Sequence, residues 1–456
     1  MSDEALIYSD RGELIGIDLF KCAQDLISRH KILTVIPGRE MLRYQNGVYV
    51  ENTREVIRLE LECRYGDLRV GRRFLLTSKT KDEIIDKVES LSFINQYRQI
   101  SPVRIPTFDV DLDIINMSNG LYNWRTGEFR SHSPDYLSRI QIPIGYNPDA
   151  ESAVLNEIID DVLDPEDRIK FKEFIAYCFY RGYKIQKSMI FFGPAGSGKS
   201  VLIKILQNML GIENCTSVSL QDLGGRHFDK FAIAKLYNKL LNVAGDMDDT
   251  VVPEVGKFKM LTSGSDLISA RKPYGQPFEF INFAKILLSA NSLPPVNDKS
   301  DGFYRRVEII EFKNKFSINS DKSHRLSSLD DPKELSGLFN ECIKLLPDLL
   351  NRGDFSYSNC TKTVREFYYR ASNTIETFVD ECIQPGEGYI SKEELYQAYL
   401  RYCELYNLPS IENKIAFGRE IKRIAGLTDT QRRIGDQRYW CYVGLKVVVG
   451  DEVFSM

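Results

Sequence analysis

Disulfide pairs, clustered metal ligands and long apolar runs are all missing from this sequence. The nine cysteines (Cys22, Cys63, Cys178, Cys215, Cys342, Cys360, Cys382, Cys403, Cys441) are scattered, with no C-x-x-C pair. An odd, dispersed set implies reduced thiols in a cytoplasmic protein and excludes a disulfide framework or a zinc site. The four histidines, His30, His132, His227 and His324, are equally isolated. No stretch approaches the roughly 18 uncharged apolar residues of a membrane span. The start, Met1-Ser2-Asp3-Glu4, is acidic and lacks the apolar segment of a secretory signal, so no such signal is expected. Internal repeats are missing too, which removes a repeat-built sensing domain. With a net charge of −4, the surface as a whole is no nucleic-acid footprint, and any such contact must come from local basic patches. What remains is ordinary globular material: 456 residues, 43% apolar and 27% charged, enough for two or three domains.

One segment carries most of the information. Met189-Ile190-Phe191-Phe192 leads into Gly193-Pro194-Ala195-Gly196-Ser197-Gly198-Lys199-Ser200, and Val201-Leu202-Ile203-Lys204-Ile205-Leu206 follows. This is G-x-x-x-x-G-K-[ST] between an apolar run and an amphipathic one. Its glycines let successive backbone N–H groups turn inward around a polyphosphate, at the positive end of a new helix. Lys199 can reach the outer phosphates of ATP, and the Ser200 hydroxyl can ligate Mg²⁺. The run Gly193 to Val201 is therefore the expected nucleotide site.

A phosphate loop needs an acid for the metal and the attacking water. The apolar strand Lys239 to Ala244 ends in Gly245-Asp246-Met247-Asp248-Asp249, with Asp246 the first acid and Asp248 on the same side of an extended chain. A third strand, Ala284 to Ala290, ends at Asn291, placed to hold water at the carboxyl edge of an open α/β sheet. Tyr304-Arg305-Arg306 precedes a fourth strand, Val307 to Ile310, and an arginine there could complete a neighbouring subunit's site. Taken alone, the acids could be a solvated turn, Asn291 a plain turn residue, and the arginines a surface pair. Between the second and third strands, Lys259 lies on a short basic helix, and Arg271, Lys272 and Tyr274 lie near a hairpin tip. Cations beside an aromatic suit sequence-tolerant contact with single strands, although a solvent-facing hairpin carries similar residues.

Together these segments resemble a superfamily 3 helicase, the AAA+-type ring motor of small viral and plasmid replicons. More narrowly they resemble phage and plasmid primase-helicases and the poxvirus-type helicase-primase. Asp113 to Gly127, His132-Ser133-Pro134-Asp135 and Ile142 to Tyr146 are similar to that family's pre-helicase domain. Phe171 to Tyr183 resembles its helical collar, and Asn373 to Val449 its winged-helix tail. The resemblance implies an α/β fold: an N-terminal α+β domain over 1–150, a collar over 151–185, a P-loop AAA+ core over 186–350 and a winged helix over 365–456. It implies Gly193, Gly198, Lys199 and Ser200 on phosphates and Mg²⁺, Asp246 as the metal and water acid, and Asn291 as sensor. Arg306, with Arg305 next, would be the finger acting in trans, and Lys259, Arg271 and Lys272 would face DNA. Two departures stand out: many relatives have Glu where Asp246 stands, leaving Asp248 as an alternative base, and the loop before the hairpin reads Ser263-Gly264-Ser265-Asp266.

The flanks add expectations of their own. Tyr44-Gln45-Asn46-Gly47-Val48-Tyr49 signals a hairpin. Asp109-Val110-Asp111-Leu112-Asp113 could suggest a polymerase metal pair. With no further acids and no His to complete one, it reads as alternating Asp on an edge strand, and no primase centre is expected. Ser391 to Tyr406 predicts a helix with a Leu395, Tyr399, Leu400, Cys403 stripe. Asn413 to Ala425 predicts a second helix with Arg419, Lys422 and Arg423 on one face. A hairpin turning near Gly435-Asp436 follows. From 411 to 440, seven Lys or Arg stand against four Asp or Glu, which suits duplex or origin DNA as well as a solvated basic helix.

The function expected is an ATP- and Mg²⁺-dependent replicative DNA helicase of a virus, plasmid or integrated element. It would work as a homo-oligomeric ring, expected to be a hexamer, in the cytoplasm (the host's, if viral), and the sequence leaves open whether a separate primase is its partner. The alternative is an ATP-switched initiator that binds origin DNA and recruits a host helicase.

Overall fold

The computed structural model describes every residue except 1–3, 37–38, 96, 101–102, 225–229, 246–254, 274, 297, 299, 315–324, 412, 435–436, 451 and 455–456. In the N-terminal part, a two-stranded antiparallel hairpin of Leu6–Tyr8 and Leu14–Ile17 precedes α1 (Leu19–His30), whose first N–H groups at Phe20 and Lys21 are capped by the Asp18 carboxylate, as a helix start requires. A small sheet follows, built from β1 (Leu33–Ile36), β2 (Glu40–Gln45), β3 (Val48–Val50) and, beyond α2 (Thr53–Tyr65) and α3 (Ser78–Leu91), β4 (Phe93–Asn95). Its order is β3-β2-β1-β4. Asn46 and Gly47 join β2 to β3 with positive φ values of 49° and 93°, the two-residue turn that the Asn-Gly pair predicts.

Next come β5 (Ile114–Met117), β6 (Gly120–Asn123) and β7 (Phe129–Arg130), paired antiparallel. The chain over Asp109 to Asp113 is bent, not an edge strand, and each acid has its own local task. Asp109 accepts from the Ser138 hydroxyl and the Arg139 N–H, Asp111 caps the Asp113 N–H, and Asp113 pairs with Arg125 at 2.6 Å. The edge-strand expectation fails because these carboxylates are spent on turn hydrogen bonds. Among the described residues no group of three or more His, Cys, Asp or Glu could hold a metal.

Helices α4 (Val154–Val162) and α5 (Pro165–Phe179) lead into the central sheet. Its strands are β8 (Ser188–Phe192), β9 (Cys215–Thr216), β10 (Leu241–Ala244), β13 (Lys285–Ala290) and β14 (Val307–Glu311), with α6 (Lys199–Leu210) crossing from β8. Between β10 and β13 lie α7 (Gly256–Leu261) and the hairpin of β11 (Leu267–Arg271) and β12 (Pro277–Ile281). The sheet order is β9-β10-β13-β8-β14 and every pairing is parallel. All residues of β8, β10 and β13 are buried, as strands covered on both faces must be. Alternate side chains go to opposite cores. Ile190, Phe192, Ile286 and Leu288 join one cluster, and Met189, Phe191, Leu287 and Ile310 join the other. That second cluster includes Ile115, Met117 and Trp124, so the strands before residue 150 pack with the central unit, while α1 to α3 keep a core of their own.

Helices α8 (Pro332–Ile343), α9 (Leu346–Arg352), α10 (Thr361–Ser372) and α11 (Thr374–Cys382) follow. The C-terminal unit then runs β15 (Ile383–Ser391), α12 (Lys392–Leu405), α13 (Lys414–Ala425), β16 (Asp429–Ile434), β17 (Gln437–Val449) and β18 (Glu452–Phe454). Ser391 and Glu394 form a reciprocal capping box at the start of α12, a strong helix initiator. Leu395, Tyr399 and Cys403 are buried as the stripe requires, with Leu400 partly buried against the same core. The expected turn at 435–436 lies outside the described residues. Among those described, no helix is long and apolar enough to cross a membrane.

One core position is chemically unusual. Lys285 opens β13 with no exposed surface, and its ammonium donates to the carbonyls of Tyr180, Gly182 and Phe283 at 2.7–2.9 Å. It also lies 4.3 Å from the Tyr177 ring centre. Burial pushes its pKa down from 10.5 to about 7. Between those values the unfolded chain holds a proton that the folded chain has lost, so stability should rise with pH across this window and level off below it. Lys285→Met leaves three buried carbonyls without a donor. It should cost about 3 kcal/mol in urea unfolding and flatten that pH dependence; an unchanged midpoint would remove Lys285 from the core's polar accounting.

Candidate functional site

The turn from β8 to α6 is shaped by its glycines. Gly193 has φ +154°, and a Cβ there would stand 2.3 Å from the Phe312 carbonyl oxygen. Gly198 has φ +95°, and its Cβ would press on Val162 at 2.9 Å. Gly196, at φ +77°, has nothing within 4 Å of its Cβ position, so the loop is open on that side. Gly193 and Gly198 are thus required by packing, and Gly196 by backbone conformation facing free space. Ala195, Gly196 and Ser200 are exposed, with Pro194, Gly198 and Val201 half-buried and Ser197 buried. Helix α6 begins with no side-chain cap, leaving first-turn N–H groups and the positive helix end for an anion.

Lys199 is the first residue of α6 and is 8% exposed. Its ammonium donates to the Gly193 carbonyl (2.6 Å), the Pro194 carbonyl (2.8 Å) and Asn291 Oδ1 (2.9 Å). Asn291 follows β13, the direct neighbour of β8, and the Gly193 N–H donates to the carbonyl of Ala290. The sheet therefore brings together two residues far apart in sequence. Strand β10 delivers the chain to the same edge as far as Gly245. Asp246 and Asp248, the expected acids, lie outside the described residues, as does Tyr274.

The arginine pair lies elsewhere. Ser188, at the start of β8, hydrogen-bonds through N–H and hydroxyl to the Arg306 carbonyl. The pair thus stands at the amino edge of the sheet, about five residues or roughly 16 Å of strand away from the glycine loop. Arg306 is 8% exposed and donates to the Gly302 carbonyl at 2.8 Å. Its Nε finds no acceptor among the described residues. Burial, and then the charge of Arg305, pulls its pKa down. Arg305 is exposed, with one long contact to Gln186 at 3.3 Å. Of the two, the structure offers Arg305 outward.

The hairpin and the basic helices hold most of their cations in ion pairs. Lys259 meets Asp298 at 2.5 Å and the Ser300 hydroxyl at 3.1 Å. Arg271 is exposed and donates to the Gly275 carbonyl. Lys272, near the tip, reaches Glu40 of β2 at 3.1 Å. Arg139 pairs with the same Glu40 at 2.7 Å and with Glu51 at 2.9 Å. Burial works to raise the Glu40 pKa, but Arg139 and Lys272 outweigh it and hold it at about 2. Burial and the adjacent Glu40 push Glu51 up. No spacing in the sequence announces this N-terminal clamp, because its members lie up to 232 positions apart. In the C-terminal unit, Arg419 is exposed, Lys422 pairs with Asp429 at 2.6 Å, and Arg423 pairs with Glu420 at 2.8 Å.

Two family models match this chain. Residues 30–175 match "D5 N terminal like", and residues 191–306 match "Family of unknown function (DUF5906)". Among curated proteins it is 24% identical over 55% of its length to "Putative helicase 121R" of Invertebrate iridescent virus 3, covering 29% of that protein. It is 25% identical over 53% of its length to "Putative helicase L207/L206" of Acanthamoeba polyphaga mimivirus, covering 26% of it. A third relative is "Putative primase C962R" of African swine fever virus, at 19% identity over 66% of this chain and 34% of that one. The chain thus spans about a third or less of these relatives. The apo structure of the NrS-1 C terminal region aligns over 93% of this chain and 98% of its own at 12% identity, with a TM-score of 0.44. The sequence matches support a D5-like helicase-primase relationship at low identity.

Proposed function

We propose that this chain is the ATP-driven motor of a viral-type replication helicase acting on DNA, of the superfamily 3, AAA+ kind. The observation that carries the reading is the meeting of Lys199 and Asn291 at 2.9 Å beside an open glycine loop. The same sheet holds an arginine pair at its far edge. The loop fits a nucleotide: Gly196 faces free space, α6 offers uncapped N–H groups, and Ser200 is exposed on its first turn. Mg²⁺, held through the Ser200 hydroxyl, would offset the charge of the phosphates. Backbone N–H groups from Ala195 to Val201 bind those phosphates, Lys199 moves from the loop carbonyls onto them, and Asn291 orients water at the outer phosphate. Asp246, with Asp248 as the alternative, takes the proton from that water.

Because Arg305 and Arg306 stand roughly a strand length from their own loop, they act on a neighbour's nucleotide. That requires a closed oligomer, a hexameric ring being the simplest, with a winged-helix unit at the C-terminus and a separate primase as partner. The relatives' printed names, helicase and primase of viruses, support a replication role, and the place proposed for it is the cytoplasm of a host cell. Hydrolysis by the purified protein, with and without single-stranded DNA, tests the reading. Strong stimulation is expected, and slow turnover indifferent to DNA would defeat it.

The second reading is an ATP-switched initiator that binds origin DNA and recruits another helicase. It is favoured by the tie between Lys272 and Glu40, which engages the hairpin tip with the N-terminal domain. The motor reading makes Lys272 a DNA contact once that tie opens. Lys272→Ala should then weaken single-strand affinity about fivefold, roughly 1 kcal/mol for one charged contact, and leave DNA-free hydrolysis unaltered. Unchanged affinity would move the DNA contact off the hairpin.

A further inference from the structure

We infer that Gln186 is a positioning residue: it ties the exposed arginine, Arg305, to the loop at the foot of the β11–β12 hairpin, so that the place of the hairpin sets the pose of the finger. This role deepens the motor proposed above and rests on it for what Arg305 and the hairpin do. It also gives a task to the Ser263-Gly264-Ser265-Asp266 loop ahead of the hairpin.

Gln186 stands on a fixed mount. On one side, buried Ile185 shares two hydrogen bonds with the buried Tyr177 hydroxyl, which donates to its carbonyl at 2.7 Å and accepts from its N–H at 2.9 Å. On the other, Lys187 pairs at 3.1 Å with Glu308 of β14, which has no exposed surface, and Ser188 holds the Arg306 carbonyl. The residues flanking Gln186 are thereby fixed to α5 and to the strand that follows the arginine pair. Its own side chain is half-buried and reaches two partners. Nε2 donates to the Ser263 carbonyl at 3.0 Å, and Oε1 accepts from the Arg305 guanidinium at 3.3 Å. A carbonyl only accepts and a guanidinium only donates, so a primary amide can join them, whereas a carboxylate or an ammonium could serve just one. The bridge engages one terminal nitrogen of Arg305, so the group can be held and still donate forward.

The other end of the bridge belongs to the hairpin. The Ser263 hydroxyl accepts from the N–H groups of Ser265 and Asp266 at 3.3 and 3.0 Å, directly ahead of Leu267, where β11 begins. Gly264 has φ +74°, and a Cβ there would stand 2.6 Å from the Tyr183 carbonyl oxygen, so glycine is what lets the loop seat on the segment that follows α5. A second strut joins the same parts. Lys259 of α7 reaches the Ser300 hydroxyl, which accepts from the Gly302 N–H and so caps the short helix Asp301–Tyr304 that ends at Arg305. Hairpin foot and arginine turn thus touch at two places, and the touch on the guanidinium itself is the Gln186 amide. A group that serves a transition state loses rate steeply when it is misplaced by about an ångström, so one amide is enough to make turnover depend on the hairpin.

The test uses the full chain. Gln186→Met keeps the length of the side chain and removes both hydrogen bonds. With single-stranded DNA present it should lower kcat about tenfold, the worth of one hydrogen bond to a charged group, and leave KM for ATP unchanged. Gln186→Glu keeps the acceptor for Arg305 and loses the donor to Ser263. It should hydrolyse ATP faster than Gln186→Met without DNA and gain nothing when DNA is added; stimulation of Gln186→Glu equal to wild type would overturn the link to the hairpin. Mixing assigns the effect to the finger, because Lys199→Ala chains lend only fingers and Arg305→Ala chains lend only loops. Adding Gln186→Met to the Lys199→Ala chain should cut the recovered hydrolysis about tenfold, and adding it to the Arg305→Ala chain should cut it no further. Equal loss from either placement, or loss from neither, would overturn the positioning role. Apart from turnover, the amides of Ser265 and Asp266 should exchange hydrogen several-fold faster in Gln186→Met, and unchanged exchange would remove the bridge. If Lys199→Ala and Arg305→Ala chains never complement each other, the finger in trans fails, and faster exchange then leaves the bridge standing as a tether of Arg305.

Discussion

Lys199→Ala is expected to reduce ATP hydrolysis at least a hundredfold, to background in a standard phosphate-release assay. The lysine enters the site through α6 and is held almost out of solvent by two loop carbonyls and Asn291. A buried cation at that point supplies positive charge where the outer phosphate develops negative charge, and losing one such preorganised group costs about 10²–10³ in rate. Alanine also removes the donor that Asn291 Oδ1 accepts, so the sensor loses its orientation together with the charge. Nucleotide affinity should fall too, because the ground state uses the same contact. The fold should survive, since the side chain packs against loop backbone and not in either hydrophobic cluster. Substantial turnover by a correctly folded Lys199→Ala protein would refute the assignment of the loop.

Arg305→Ala should be nearly as damaging to turnover, by about a thousandfold, with nucleotide binding intact. The separation of the arginines from their own loop makes this prediction specific. A group at the amino edge of the sheet cannot serve a phosphate at the carboxyl edge of the same sheet, but it can serve the next subunit's. Mixing Arg305→Ala with Lys199→Ala protein therefore creates some interfaces with a good loop on one side and a good finger on the other. Hydrolysis should reappear in the mixture, peaking at intermediate ratios. Failure to recover any activity would count against action in trans. Arg306→Ala should act differently: with its side chain 8% exposed and donating to Gly302, its loss should lower the unfolding midpoint as well as activity. If Arg306→Ala alone leaves stability untouched and removes turnover, the roles of the two arginines are exchanged.

These roles also show which features could be read in advance. The Gly193–Ser200 motif is local chemistry: three glycines, a lysine and a hydroxyl, contiguous, between an apolar strand and an amphipathic helix. Nothing distant can reassign it, and the structure gives it the positive φ values that its glycines permit. The same holds for the Asn46-Gly47 turn and for the capped helices α12 and α13, where cap residue and period agree. Asp109 to Asp113 shows the opposite case. Alternation alone suggested an edge strand, but Ser138, Arg139 and Arg125, none of them adjacent, claim the carboxylates and bend the chain.

The pairing of charges is where sequence reading fell furthest from the molecule. Lys272, Lys259 and Lys422 look alike as exposed cations in a linear chain, and each has found an acid supplied by folding. Coulomb attraction depends on distance in space and falls off within about 10 Å at ordinary salt, so a linear order that hides Glu40 from Lys272 hides the outcome. Exposure of Arg305 against burial of Arg306 has the same origin. The two are neighbours in sequence, and only the packing of β14 against β8 decides which one faces out. By itself, then, the sequence determined the glycine loop between β8 and α6, the strand–helix alternation around it and the helices of the C-terminal unit, because these follow from backbone conformation and local periodicity. Tertiary structure alone decided that Asn291 meets Lys199, that the arginines stand at the far edge, and that Lys272 and Lys259 meet Glu40 and Asp298, because each depends on what folding brings within a few ångströms.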